Sequence, residues 1–262
     1  MIGERLQALG WQPQEFTPSG QPKIDETILQ NLPYPQAKLL AEHFLVEKRI
    51  GQLAEGDQAW LKLAVKGRIH GSVNTNGAVT GRCTHSRPNV AQVPSVSSPY
   101  GDRCRALFGT TAGWVLVGAD LSGLELRCLA HFVAFYDGGA YGRIILEGDI
   151  HTVNQKAAGL PTRNDAKTFI YAFLYGAGDQ KIGSIVAPNA SPEAQRRIGK
   201  KLKAEFLRKT PALKKLREVV EQAVKTRGFL YGLDGRKLHI RSEHSALNTL
   251  LQSAGALISK VA

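Results

Sequence analysis

Four groups of residues have the types and spacing to do chemistry. Asp120 ends the apolar run Trp114-Val-Leu-Val-Gly-Ala119. A lone carboxylate at such a tip is placed to hold a divalent metal within reach of a ligand, and equally to end a strand as a turn or cap residue. Arg163, Lys167 and Tyr171 lie four apart and drift only about 40° per step around a helix, so all three line one face. Two cations one turn apart can hold a polyphosphate while the ring beyond packs on a base or sugar; the alternative is a surface helix with paired cations. His244, Asn248 and Gln252 repeat the spacing. Such a stripe suits hydrogen-bond acceptors that recur whatever the base sequence, as in a duplex minor groove, or else it faces solvent. The polar stretch from Thr80 to Pro94 carries Arg82, Asn89 and Gln92, in a surface loop or aimed at a nucleic-acid backbone or base edge.

Elements to position these groups are legible from periodicity. Trp114–Ala119 is apolar and β-branched, which predicts a buried strand. Leu124, Cys128, Leu129 and Phe132 predict a helix behind Ser122 as its N-cap. A helix over 36–53 and a strand–turn–strand over 61–84 precede them. The turn at Asn74–Gly77 joins runs over 68–73 and 78–80. Asp149 and Thr152 cap one helix; Thr162 caps the next, whose buried face is Phe169, Ile170, Phe173 and Leu174. Basic helices over 191–209 and 211–226 lead to a hairpin turning at Asp234-Gly235. A helix from about Glu243 buries Leu247, Leu250, Leu251, Ala254 and Leu257. Met1–Pro35, rich in Gly, Pro and Gln, reads as a frayed lead-in.

Charge narrows the partners. Lys and Arg number 34 against 22 Asp and Glu, a net +12, with the surplus concentrated between Arg196 and Arg241. Such a balance attracts polyanions, nucleic acid first among them. Cys83, Cys104 and Cys128 are odd in number and widely spaced, which points to a reducing compartment and away from a disulfide scaffold or zinc site. No signal peptide opens the sequence and no apolar run reaches membrane-spanning length, so a soluble, cytoplasmic protein is expected. Gly176-Ala-Gly-Asp-Gln-Lys-Ile-Gly-Ser184 matches no phosphate-loop spacing and follows a helix, not a strand; its glycines break that helix.

Together these residues resemble family A DNA polymerases. Asp120-Leu-Ser-Gly-Leu-Glu-Leu-Arg127, Arg163-x-x-x-Lys167-x-x-x-Tyr171-x-x-x-Tyr-Gly176 and Asn248-x-x-x-Gln252 match three landmark motifs. Thr80-Gly-Arg82 with Pro88-Asn89 matches a fourth. Gly148-Asp-Ile-His-Thr152 and Gly232-Leu-Asp-Gly-Arg236 look most like the replicative enzymes of short-tailed bacteriophages. The resemblance runs from about Trp11 onward.

It implies template-directed nucleotidyl transfer from a deoxynucleoside triphosphate to a primer 3′-hydroxyl. Asp120 and the Leu121 carbonyl would ligate Mg²⁺, two ions in a complete site. Glu125 would exclude a sugar 2′-hydroxyl. His151, Arg163 and Lys167 would grip the triphosphate, Lys167 stabilising charge as pyrophosphate leaves. Tyr171 would pack on the nucleotide, with Tyr175 near the templating base. Arg82, His244, Asn248 and Gln252 would hold the primer–template, with Asn89 and Gln92 as further DNA contacts.

The expected fold is α+β, with an antiparallel palm sheet from strands near Ile69–Val79, Val115–Ala119 and Tyr231–Ile240, and helical fingers inserted over Asp137–Arg227. The expected organisation is a thumb remnant and lead-in helix over 1–60, palm over 61–136, fingers over 137–228 and palm again over 229–262. One departure bears on activity. The His-Asp-Glu motif that carries the family's second metal-binding aspartate does not occur in this sequence, nor does an exonuclease domain or most of a thumb. Two readings follow: one piece of a split or interrupted polymerase completed by a second polypeptide with that motif, or an inactive remnant that binds DNA or nucleotide.

Overall fold

The computed structural model describes residues 2–13 and 16–262. They form two compact units: residues up to 73 together with 85–108, and residues 74–84 together with 109–262. In the first unit, α1 (Ile2–Ala8), α2 (Glu26–Gln30) and α3 (Pro35–Ile50) enclose a small core of Leu6, Leu29, Ala37 and Ala41. Asp25 caps α2 by accepting the Ile28 N–H at 2.9 Å, and Pro35 opens α3, where a missing N–H costs nothing. The lead-in is therefore packed, not frayed. Leu6 and Leu29 are too far apart in sequence for periodicity to pair them.

A π-turn over Gly51–Glu55 follows α3 and leads to α4 (Trp60–Leu63). β1 (Ala64–Val65) pairs antiparallel with β2 (Arg68–Ile69). β3 (Ser72–Asn74) and β4 (Thr84–Ser86) lie where the chain passes from one unit to the other, and Ala78–Thr80, expected as a strand, is a bend and turn. α5 (Gly101–Ala106) completes the first unit.

The second unit is mostly helical. α6 (Leu124–Asp137), α7 (Ala140–Glu147), α8 (Ile150–Ala158), α9 (Arg163–Leu174) and α10 (Asp179–Val186) precede two long basic helices, α11 (Pro192–Lys209) and α12 (Pro211–Arg227). The hairpin β5 (Phe229–Tyr231) and β6 (Lys237–His239) has the expected turn, with Leu230 opposite Leu238 in register. α13 (Ala246–Val261) closes the unit. One core runs through all of these elements except α7, which contributes only partly buried side chains to it. The fold is α+β, as expected, but its sheets are three separate two-stranded hairpins.

Three further local expectations are overturned. Trp114–Ala119 is not a buried strand: it pairs with no strand among the described residues, and Trp114 through Val117 are 76 to 86 % exposed. A strand needs a neighbour for its N–H and C=O groups, and no described residue supplies one, so a single palm sheet does not form. Ser122 does not cap α6. Gly123, at φ +61°, occupies that position, and the Ser122 carbonyl accepts from Arg127 Nε at 2.9 Å. The last helix begins at Ala246, after a 3₁₀ turn over Glu243–Ser245.

α10 and α11 approach closely through two glycines. A Cβ on Gly183 would sit 1.8 Å from the Gln195 carbonyl oxygen, and one on Gly199 1.8 Å from that of Asp179. Backbone cannot yield as a flexible side chain can, so Gly199→Ala should destabilise the fold by about 1–3 kcal/mol. Gly109→Ala meets nothing within 4 Å and should stay within about 0.5 kcal/mol. Urea unfolding of both variants checks the contrast.

Candidate active site

α9 is fixed at its start and along one face. The Thr162 hydroxyl accepts the Asp165 N–H at 3.1 Å while the Asp165 carboxylate accepts the Thr162 N–H at 3.2 Å, a reciprocal capping box. Phe169, Ile170, Phe173 and Leu174 are buried as expected. Phe169 and Phe173 pack against Phe206 of α11 at ring-centroid distances of 5.1 and 5.3 Å. Arg163 and Lys167 are exposed, and Tyr171 is half-buried.

Arg163 has a partner that sequence reasoning had cast only as a cap. The Asp149 carboxylate, which accepts the His151 N–H at 3.1 Å, also receives Arg163 Nε at 2.6 Å and Nη2 at 3.1 Å. The fork-on-carboxylate geometry ties the start of α8 to the start of α9. It holds the Asp149 carboxyl far below the usual range and raises the Arg163 guanidinium. His151 is lowered by burial first, then by the charge of Arg163, with Asp149 opposing and Lys167 reinforcing. The ring nitrogen His151 Nδ1 is buried with no hydrogen-bond partner. No ion pair among the described residues engages Lys167. His151, Arg163 and Lys167 thus share one electrostatic neighbourhood, the arrangement a polyphosphate requires.

Beside them lies a groove of about 610 Å³ whose wall includes Arg82, Asp120, Leu121, Glu125 and Tyr171. Arg82 Nη2 donates to Glu125 Oε1 at 2.9 Å. Burial, with the Glu125 charge next, raises the phenols of both Tyr171 and Tyr175. Arg82 is itself positioned by a residue to which the sequence pattern gave no role. Arg236 Nη2 donates to the Thr80 carbonyl at 3.0 Å and to Ser253 Oγ at 3.2 Å. Its guanidinium lies where a Cβ on Gly81 would come within 2.4 Å, and the left-handed backbone there (φ +77°) favours glycine at the centre of the Thr80-Gly-Arg82 turn. The Gly-Arg pair of the hairpin turn was the available signal.

The remaining expected residues divide. Tyr175 ends α9, and Gly176 (φ +74°) packs so tightly on the His244 carbonyl that a Cβ would sit 2.3 Å away. His244 lies in the 3₁₀ turn, so the three-residue helical row reduces to Asn248 and Gln252 on α13. Both are half-buried, and Asn248 Oδ1 has no partner. Asn89 and Gln92 belong to the other unit. The Asn89 side chain accepts the Ala91 N–H at 3.1 Å as the cap of a 3₁₀ turn over Val90–Gln92, and Gln92 is exposed at its end.

The residues present do not by themselves complete a magnesium site. Asp120 and Leu121 are exposed in the groove, but Glu125 is committed to Arg82, and no group of three or more His, Cys, Asp or Glu able to hold a metal occurs among the described residues. One carboxylate and one carbonyl can contribute to an octahedral oxygen shell but cannot close it.

The sequence model described as DNA polymerase family A matches residues 2–262. The chain belongs to DNA polymerase family A. It is 54 % identical, over 99 % of its length, to the DNA-directed DNA polymerases of Enterobacteria phage T3 and Escherichia phage T7. It is 32 % identical over 75 % of its length to the thermostable DNA polymerase I of Thermus aquaticus. The chain spans 40 % of the two phage enzymes. Its fold is similar to the POL domain of Pol1 from M. smegmatis, solved in complex with DNA primer-template and dNTP, with TM-score 0.77 and 22 % identity over 99 % of this chain and 49 % of that one. No helix among the described residues is long and apolar enough to cross a membrane.

The His151 environment gives a pH signature. A lowered imidazole favours the neutral ring, so its stabilising contribution is present above the ordinary value of 6.5 and is lost as pH falls through the depressed folded value. Arg163→Ala removes a repelling cation and frees the Asp149 carboxylate, and both changes favour the imidazolium. The His151 pKa should rise in that variant, read by NMR titration of the imidazole protons.

Proposed function

We propose that this chain is the nucleotide- and primer-binding part of a DNA-directed DNA polymerase, working inside the phage-infected host cell if phage-encoded. Residues 61–136 and 229–262 serve as palm, 137–228 as fingers, and 1–60 as a lead-in with a thumb remnant. The reading rests chiefly on one observation: α9 carries Arg163 and Lys167 exposed and Tyr171 half-buried, and the groove Tyr171 lines also holds Asp120 and Glu125. Cations and a ring on one helix receive a deoxynucleoside triphosphate, Glu125 and Tyr171 bound its sugar, and Asp120 supplies one carboxylate for Mg²⁺. Tyr175 sits by the templating base. Arg82, Asn248 and Gln252, with His244 alongside and Asn89 and Gln92 contributing further contacts, hold primer–template DNA.

The second carboxylate comes from outside these residues, on a His-Asp-Glu segment. The exposed Trp114–Val117 run supports this. Large apolar side chains in a contiguous exposed stretch mark a surface to be covered, and this stretch leads directly to Asp120. The competing reading, a remnant that binds DNA or nucleotide without chemistry, is favoured by the absence of a closed carboxylate cluster among the described residues.

Adding in trans a polypeptide that carries the His-Asp-Glu hairpin should give Mg²⁺-dependent primer extension. Asp120→Ala should abolish it, and Glu125→Ala should admit ribonucleotides. A complemented pair that forms a stable complex, binds primed DNA and adds no nucleotide leaves the remnant reading standing. Binding to primed duplex should weaken steeply with salt, as phosphate contacts demand. Gln252→Ala should weaken binding to primed duplex more than to single strands, measured by fluorescence anisotropy.

A further inference from the structure

The outer face of the β5–β6 hairpin is built unlike the rest of the basic surface. Along a strand, alternate side chains face opposite ways. Leu230 and Leu238 point into the core at 4 % and 0 % exposure. Phe229 and Tyr231 therefore share the other face, with His239 and Lys237 as their cross-strand partners. Gly228, at φ +75°, ends α12 so that Arg227 lies over this face. The Arg227 guanidinium carbon is 5.4 Å from the Phe229 ring centroid and 5.2 Å from that of Tyr231, and Lys237 Nζ is 4.8 Å from that of Phe229. Arg227 Nε also donates to the Phe229 carbonyl at 3.0 Å, which fixes the cation in place.

Charge and shape specify the occupant. No ion pair among the described residues engages Arg227, Lys237 or His239, whereas many cations of α11 and α12 sit beside carboxylates: Arg208 by Glu205, Lys214 by Glu218, Arg217 by Glu221. The Tyr231 ring is half-exposed, at 50 %. A surface with unpaired cations interleaved with accessible rings fits a polyanion that itself presents flat faces. A duplex hides its base faces in the stack; a single strand offers them. An acidic peptide would meet the cations and leave the rings without a partner.

The geometry points to the Arg227–Phe229–Tyr231–Lys237–His239 face as a stacking site for single-stranded nucleic acid, separate from the groove at Asp120. It binds phosphates through the cations and a base on Tyr231. This deepens the nucleic-acid reading given above and rests on it. The groove residues hold paired primer–template, and the hairpin face takes unpaired strand.

The test uses the full chain and fluorescence anisotropy with labelled oligothymidylate, an abasic deoxyribose-phosphate oligomer of equal length, and a blunt duplex. Tyr231→Ala should weaken oligothymidylate binding by about tenfold, the scale of one lost base–aromatic stack, and leave blunt-duplex binding within about twofold. Tyr231→Phe, which keeps the ring, should bind as the parent does, and so separates stacking from a damaged fold. Lys237→Gln should weaken binding and flatten its salt dependence. Three results overturn the proposal: unchanged oligothymidylate binding in Tyr231→Ala, equal loss in Tyr231→Phe, or an abasic oligomer that binds the parent as tightly as oligothymidylate. Displacement of oligothymidylate by polyglutamate at equal charge also overturns it, in favour of an acidic protein partner. A parent chain that binds neither single strand nor duplex refutes the general nucleic-acid reading instead. One that binds duplex normally while Tyr231→Ala changes nothing refutes only the hairpin face.

Discussion

The constraint on which the rest of the second unit depends is the burial of one face of α9 against Phe206. Phe169, Phe173 and Phe206 form a cluster with centroid separations of 5.1 to 5.9 Å, the two contacts to Phe206 being edge-to-face. Rings of this size cannot be moved a fraction of a turn without opening voids, because interiors are packed like organic crystals. The rotation of α9 about its axis is thereby set, and with it the direction of every outward side chain. Phe169, Ile170, Phe173 and Leu174 are buried by it, while Arg163 and Lys167 remain exposed and Tyr171 half-buried at the edge of the packed face.

Around that fixed helix, polar contacts do the positioning. Asp149 grips Arg163 with both carboxylate oxygens while capping α8, so an arginine free to swing in solvent is held ready at the helix start. Arg236 plays the matching part for the Thr80-Gly-Arg82 turn, reaching Thr80 and Ser253 and delivering Arg82 to Glu125. These pairs are exposed or part-exposed, and surface ion pairs contribute little to stability. Their value lies in orientation, which a binding site needs more than it needs stability.

The exposed Trp114–Val117 run is the counterpart of this order. Each of its side chains would favour burial, yet the run has no neighbouring strand among the described residues to receive its backbone groups. Asp120 follows immediately and is exposed too.

The sequence by itself determined those elements whose signals are local. The cap at Thr162, the two long basic helices, the Asp234-Gly235 turn and the buried face of α9 were all legible, because each depends on residues within a few positions of one another. So was the spacing of the motifs that carries the resemblance to the family. Tertiary structure alone decided the pairings between distant residues: Leu6 with Leu29, Arg163 with Asp149, Arg82 with Glu125, and Arg236 with Thr80. It also overturned local readings. The Trp114–Ala119 run has strand composition, but a strand exists only with a partner, and partner identity is not written in the run itself. His244 keeps the four-residue spacing, but the chain enters α13 through a 3₁₀ turn, and the row breaks where the helical geometry has not yet begun.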